Sequence, residues 1–138
     1  MKKSFLIFLL VFCVAVFAQN TQKKNIKYVK ISPKRCLKKT GYQLVLKAII
    51  SDSRCPEGVT CVWAGEASGV ISVYKDSKLI DDKTIVFSPK NEEENKQWFA
   101  MYLPEKQRKI KSISVFPYPK QDVPVVKKDY YIKIGYSK

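Results

Sequence analysis

Tyr42 to Ser51, YQLVLKAIIS, alternates side chains so that Leu44, Leu46, Ala48 and Ile50 share one face and Gln43, Lys47 and Ser51 the other, with Val45 and Ile49. A period of two with β-branched residues marks a strand. The pattern recurs along the chain. In Asn25 to Ser32, Ile26, Tyr28 and Lys30 oppose Val29 and Ile31; Ala67 to Lys75 and Leu79 to Ser88 flank a hairpin turn at Asp76-Ser77. Lys109 to Tyr118 is closed by Pro117 and Pro119, and Asp129 to Tyr136 sets Tyr130, Ile132, Ile134 and Tyr136 on one face. Lys120 to Lys128 carries Pro124 and reads as an edge strand or loop. Pro89 to Lys96, PKNEEENK, has no apolar residue to bury and reads as a loop; Gln97 to Leu103 is a short strand or a single helical turn. No run has a convincing helical period, so no crossover makes strands parallel. About seven short strands in one domain predict an all-β fold, an antiparallel β-sandwich of Ig-like or jelly-roll-like type.

The domain starts after an address. Lys2 and Lys3 precede an apolar run from Phe5 to Ala18, 14 residues long. That is the layout of a signal peptide over 1–18, and it is too short to span a membrane. Phe12 stands before Cys13 where a lipoprotein keeps a small residue, which argues against lipidation. The expected product, 19–138, is a single domain, periplasmic or secreted. The whole chain carries +14, and only Arg35, Arg54 and Arg108 are arginines. Lysine is a flexible, hydrated point charge, whereas phosphate clamps favour the arginine fork. The charge therefore points to a solubilising coat or diffuse attraction to an anionic polymer.

Cys36, Cys55 and Cys61 remain after processing. Export permits disulfides, and Cys55 and Cys61 are the natural pair. Cys36 is then buried and inert, a reactive thiol, or the link of a Cys36-joined dimer; burial is the preferred reading. Cys55-Pro56-Glu57-Gly58 reads as a type I turn that folds the chain back on itself. Closing the loop would stabilise the fold by about 2.4 kcal/mol, a local staple. Trp63 is expected to pack over the disulfide, Gly65 to allow a bulge or close backbone approach, and Asp52 to form an Asx turn. Arg54 and Glu66 flank the unit with opposite charges; they are candidates to pair, and Arg54 to stack on Trp63.

Asp52, Ser53, Arg54, Cys55, Pro56, Val59, Cys61, Trp63, Gly65 and Ala67 fit the pattern D-S-R-C-P-x-x-V-x-C-x-W-x-G-x-A. This resembles a signature in small exported bacterial proteins that mostly carry no assigned function. Pro117-Tyr118-Pro119 ahead of the closing strand is a weaker echo. The resemblance implies an exported β domain and brings no activity with it.

The residue types disfavour several chemistries. The chain has no histidine, so a Ser-His-Asp or Cys-His nucleophile lacks its base. C-x5-C is wider than zinc spacing and wider than the C-x-x-C of thiol oxidoreductases, so no metal or cofactor is expected. Asp52 with Glu66, or Asp81 with Asp82, are the carboxylate pairs available; neighbours on a strand face opposite ways, and Asp52 is better spent on Arg54. Trp98 and Phe99 with Tyr102, and Tyr118 in its proline corner, are candidate binding aromatics. Tyr28, Lys30, Tyr130, Tyr131 and Lys133 mix bases with aromatics in the manner of a nucleic-acid platform, but export argues against that ligand. The expectation is a non-enzymatic module binding a protein or an anionic cell-surface polysaccharide. The alternative is a small inhibitor or immunity-type factor that inserts the stapled loop 55–61, with Glu57 and Val59 at its tip.

Overall fold

The computed structural model describes residues 25–33 and 37–137. The signal-peptide reading, Cys13 and Cys36 lie outside the described residues. Among those described there are six strands and one α-helix. In chain order these are β1 (Ile26–Ile31), β2 (Tyr42–Asp52), β3 (Ala67–Lys75), β4 (Lys78–Phe87), α1 (Glu92–Tyr102), β5 (Ile110–Phe116) and β6 (Tyr131–Ser137). They form two antiparallel sheets, β1-β6-β5 and β2-β3-β4, and no helix is long and apolar enough to cross a membrane.

Both sheets and the helix supply one core. Ile31, Val115, Ile132 and Ile134 come from the first sheet, Leu46, Ile49, Ile71, Val73 and Ile85 from the second, and Trp98, Phe99 and Leu103 from α1 and its end. The alternation read in β6 places Tyr130, Ile132 and Ile134 inward, and that of β1 places Ile31 in the core and Val29 against it. The β3–β4 hairpin turns at Asp76 and Ser77, with φ of 50° and 66°. Two successive left-handed residues match the right-handed twist of the strands they join. Asp76 Oδ1 accepts the Gly41 N–H at 2.8 Å and so ties in the entry to β2.

Strand β2 departs from its sequence pattern. Ala48 and Ile50, which period two groups on one face with Leu44 and Leu46, are exposed, while Val45 and Ile49 from the other face are buried. The register against β3 shifts between Leu46 and Ala48 and again between Ile49 and Ser51. Each bulge inserts one residue and reverses the alternation beyond it. Gly69 on β3 makes room for the displaced side chain: a Cβ there would lie 2.9 Å from Ile49 Cδ1.

Two further expectations are corrected. Pro89 to Lys96 is not a loop and Gln97 to Leu103 is neither a strand nor a lone turn; together they hold a 3₁₀ turn over Pro89–Asn91 and the 11-residue α1. Glu92, Glu93 and Glu94 occupy the first helical turn, where the backbone dipole favours negative charge. The buried face is Asn95, Trp98 and Phe99, a spacing of three and four. Trp98 is therefore a core residue and no binding aromatic; its ring meets Phe99 and Tyr102 edge-on at 5.0 and 5.1 Å. Residues 120–128 make no named strand, only isolated bridges from Lys120 to Val123 and to Glu57 and the start of a 3₁₀ turn.

The bulges make a sharp distinction between neighbours. Urea unfolding should show Ile49→Ala losing about 2–5 kcal/mol and Ile50→Ala staying within about 0.5 kcal/mol of the parent. Equal losses would mean that β2 keeps an unbroken register.

Candidate functional site

The β2–β3 ladder does not stop at Asp52 and Ala67. Ser53 N–H donates to Glu66 O at 2.8 Å and Cys55 N–H to Ala64 O at 3.0 Å, in the register of the strands below. The stapled stretch is thus the tip of a long hairpin. Cys55 and Cys61 are joined, with Cα atoms 5.9 Å apart. The turn inside the ring runs from Pro56 to Val59, one residue later than the sequence pattern, closed by Val59 N–H to Pro56 O at 3.3 Å. Gly58 takes the third position with φ 82°, which a side chain disfavours. Gly65 is more constrained: φ is 70°, and a Cβ would sit 1.9 Å from Ser53 O. Only glycine lets the two arms approach so closely.

Beneath the tip is a buried ionic fork. Arg54 Nε and Nη2 donate to Asp52 Oδ1 and Oδ2 at 2.8 and 2.6 Å. Nη1 donates to Val115 O, and Nη2 also to Pro117 O at 2.9 Å. Tyr130 O–H donates to Asp52 Oδ2 at 3.0 Å, and the Arg54 backbone N–H to Oδ1 at 3.3 Å in an Asx turn. The Arg54 and Asp52 side chains are 9% and 8% exposed. Burial alone would raise the Asp52 pKa, but the Arg54 hydrogen bonds and charge, with Tyr130, outweigh it and hold the carboxyl below its usual range. Burial, then the hydrogen bond to Asp52 and its charge, push the Tyr130 phenol up, so it stays a donor. Arg54 pairs with Asp52 and not Glu66, and its guanidinium lies 4.9 Å from the Tyr118 ring centroid, not over Trp63.

The fork joins the tip to a second loop. Glu57 N–H donates to Pro119 O at 2.9 Å, and Glu57 bridges Lys120. The paired loops leave apolar groups in water: Val59, Val62, Trp63, Tyr118, Val123 and Val126. Val62 is fully exposed and Trp63 65% exposed, so most of the indole lies in water. Asp52, Arg54, Cys55, Pro56, Glu57, Gly58, Val59, Cys61, Trp63, Gly65, Glu66 and Tyr118 are thereby brought to one end of the molecule; Trp98 is not. Val62 and the two accepting carbonyls were not singled out from sequence, and Tyr130 was named there only as an inward aromatic and a platform member, not as a partner of Asp52. Tyr130 looked like one more inward aromatic, and Val62 gives no signal beyond its place beside Trp63.

A cleft of about 320 Å³ opens beside the fork, between the ends of β4 and β5, walled by Gly65, Phe87, Asn95 and Phe116. Glu92 is the one carboxylate on its wall among the described residues. No group of three His, Cys, Asp or Glu among those residues could hold a metal ion. Comparison with protein-family models, with curated proteins and with solved structures finds no match.

Removing one member of a buried pair strands the other. Arg54→Ala should cost about 3–5 kcal/mol in urea unfolding, and Arg54→Lys should recover little, because one ammonium cannot reach a carboxylate and two carbonyls together. A depressed carboxyl pKa stabilises the native state above the usual carboxylate range and loses that contribution as pH falls through it. Parent stability should therefore decline as pH falls below about 4, the ordinary aspartate value, with an extra slope that Asp52→Asn lacks.

Proposed function

We propose that this chain is an exported, non-enzymatic β-sandwich module that binds a protein through its braced hairpin tip. The observation that carries this reading is the exposure of Val62 and Trp63 on a segment fixed by a disulfide, a ladder and the Arg54 fork. An indole in water forfeits the burial of one of the largest apolar side chains, and tryptophan is enriched among residues that dominate protein interfaces. A rigid tip also loses little conformational freedom on docking. Charge supports the choice of partner. From Ser51 to Ser68 there is no lysine, in a chain with 26 basic residues. Within the hairpin itself a polyanion has only the buried Arg54 to grip, and Lys120, bridged to Glu57 from the second loop, is the lysine beside it.

A second reading, a small inhibitor or immunity-type factor, rests on the shape of the same element. The tip is closed by Cys55–Cys61, and Glu57, Gly58, Val59 and Thr60 are all exposed on it. Such a loop fits a cleft, and the partner would then be an enzyme whose activity falls on binding.

Both readings are tested by affinity capture from the native envelope at low and high salt. The parent should retain a protein partner at high salt, and Trp63→Ala and Val62→Asp should each weaken capture by about 30-fold at unchanged thermal stability. Retention of the same partner by both variants would remove the tip from the interface. Sensitivity to Glu57→Ala with loss of the partner's activity would favour the inhibitor reading.

A further inference from the structure

The outer face of the β1-β6-β5 sheet carries a different chemistry. Lys30 and Lys133 are directly opposite each other across β1 and β6, with Ser114 next in the same row on β5. Like charges in opposed positions destabilise a ladder. Neither lysine forms an ion pair with a carboxylate among the described residues. Each ammonium instead sits over a ring: Lys30 Nζ is 3.8 Å from the Tyr131 centroid, and Lys133 Nζ is 4.1 Å from that of Tyr28 and 5.7 Å from that of Phe116. Phe116 and Tyr131 stack at 5.5 Å with planes 15° apart, which fixes one wall. Tyr28 lies over Gly135, where a Cβ would come within 3.2 Å of its ring and 2.6 Å of Ser112 Oγ. The lysines are therefore aimed by neighbours that are themselves held.

We propose that this face binds an acidic polysaccharide, with carboxylates of the polymer meeting Lys30 and Lys133. Each ammonium is held over a different ring, Lys30 over Tyr131 and Lys133 over Tyr28, so the face offers two neighbouring cationic points to successive acidic groups of one polymer. Tyr28 and Tyr131, whose rings hold the two ammoniums, and Ser114, beside Lys133 in the same row, carry hydroxyls that suit a ligand rich in hydroxyls. The alternatives fit less well. A nucleic-acid platform needs open ring faces on which bases stack, and here ammoniums occupy the faces of Tyr28 and Tyr131. Phosphate recognition favours the arginine fork, and no arginine lies in β1, β5 or β6. This site is separate from the hairpin tip and does not rest on the tip's having a protein partner.

The test titrates the purified protein with polygalacturonate, with neutral dextran as control, at rising salt. Binding to polygalacturonate alone, weakening with salt, is expected. Lys30→Gln with Lys133→Gln should weaken it about tenfold or more, while Lys78→Gln with Lys106→Gln, an equal charge loss elsewhere, should change it less than about twofold. The Lys30 and Lys133 variant should melt close to the parent, since removing an opposed like-charge pair offsets the lost ammonium–ring contacts, and Trp63→Ala should leave polygalacturonate binding intact. Equal weakening by the two double variants would reduce the attraction to net charge and overturn the proposal. So would no binding, or tighter binding of single-stranded DNA or phosphatidylglycerol vesicles.

Discussion

The Arg54 guanidinium connects parts of the chain that have no other reason to meet. Its carboxylate partner, Asp52, ends β2 in one sheet; its carbonyl partners, Val115 and Pro117, end β5 in the other; and Tyr130, which bonds Asp52, precedes β6. Burying both charges costs several kcal/mol per ion before any attraction is counted. The arrangement offsets that cost by satisfying nearly the whole fork: four of the five guanidinium donors an arginine offers have acceptors. A hydrophobic substitute would pack as well and cost less, but it would not decide which strand ends come together. The ionic fork thus selects one arrangement of the two sheets at this end, and the tip inherits its position from that selection.

The same group solves a problem of edges. β4 and β5 are each the outer strand of their sheet, and an outer strand presents unpaired backbone groups. Arg54 takes the Val115 carbonyl of β5, and Asn95 of α1 takes the Val86 carbonyl of β4 at 2.8 Å. One cap is delivered by the hairpin and the other by the helix, so the gap between the sheets is governed from both sides. That explains why Asn95 is buried on the apolar face of α1: its amide is spent on a strand edge.

How much of this can be read from the chain alone depends on the range of each interaction. The inward faces of β1 and β6 follow from period two, because nothing interrupts either strand on its way through the core. β2 fails the same test because bulges at Lys47 and Ile50 reset the phase, and a bulge leaves no mark in a pattern of apolar residues. α1 hides for a different reason. Its first turn is all acid, placed by the helix dipole, and its apolar spacing begins only at Asn95, which is itself polar. In the site, the contact from Arg54 to Asp52 spans two residues and the motif displays it, whereas Val115, Pro117 and Tyr130 lie 61, 63 and 78 positions from their partners. Trp63 shows the limit most clearly. Apolar size argues for burial in any single residue, and only the geometry of the braced tip turns it toward water.

The distribution of charge adds a last step. A strongly basic protein would be expected to scatter lysine over every solvent-facing surface, yet the stretch from Ser51 to Ser68 has none, and the β1–β6 face holds two in direct opposition. Neither placement favours the fold by itself. Omitting lysine from an exposed apolar tip lowers its solubility, and opposing two ammoniums across a ladder weakens the strand pair. Both costs fall where a ligand would remove them, apolar cover in one case and a negative charge in the other. The two surfaces ask for partners of opposite character, and since they are built from different loops and strands, occupation of one does not require the other to be empty.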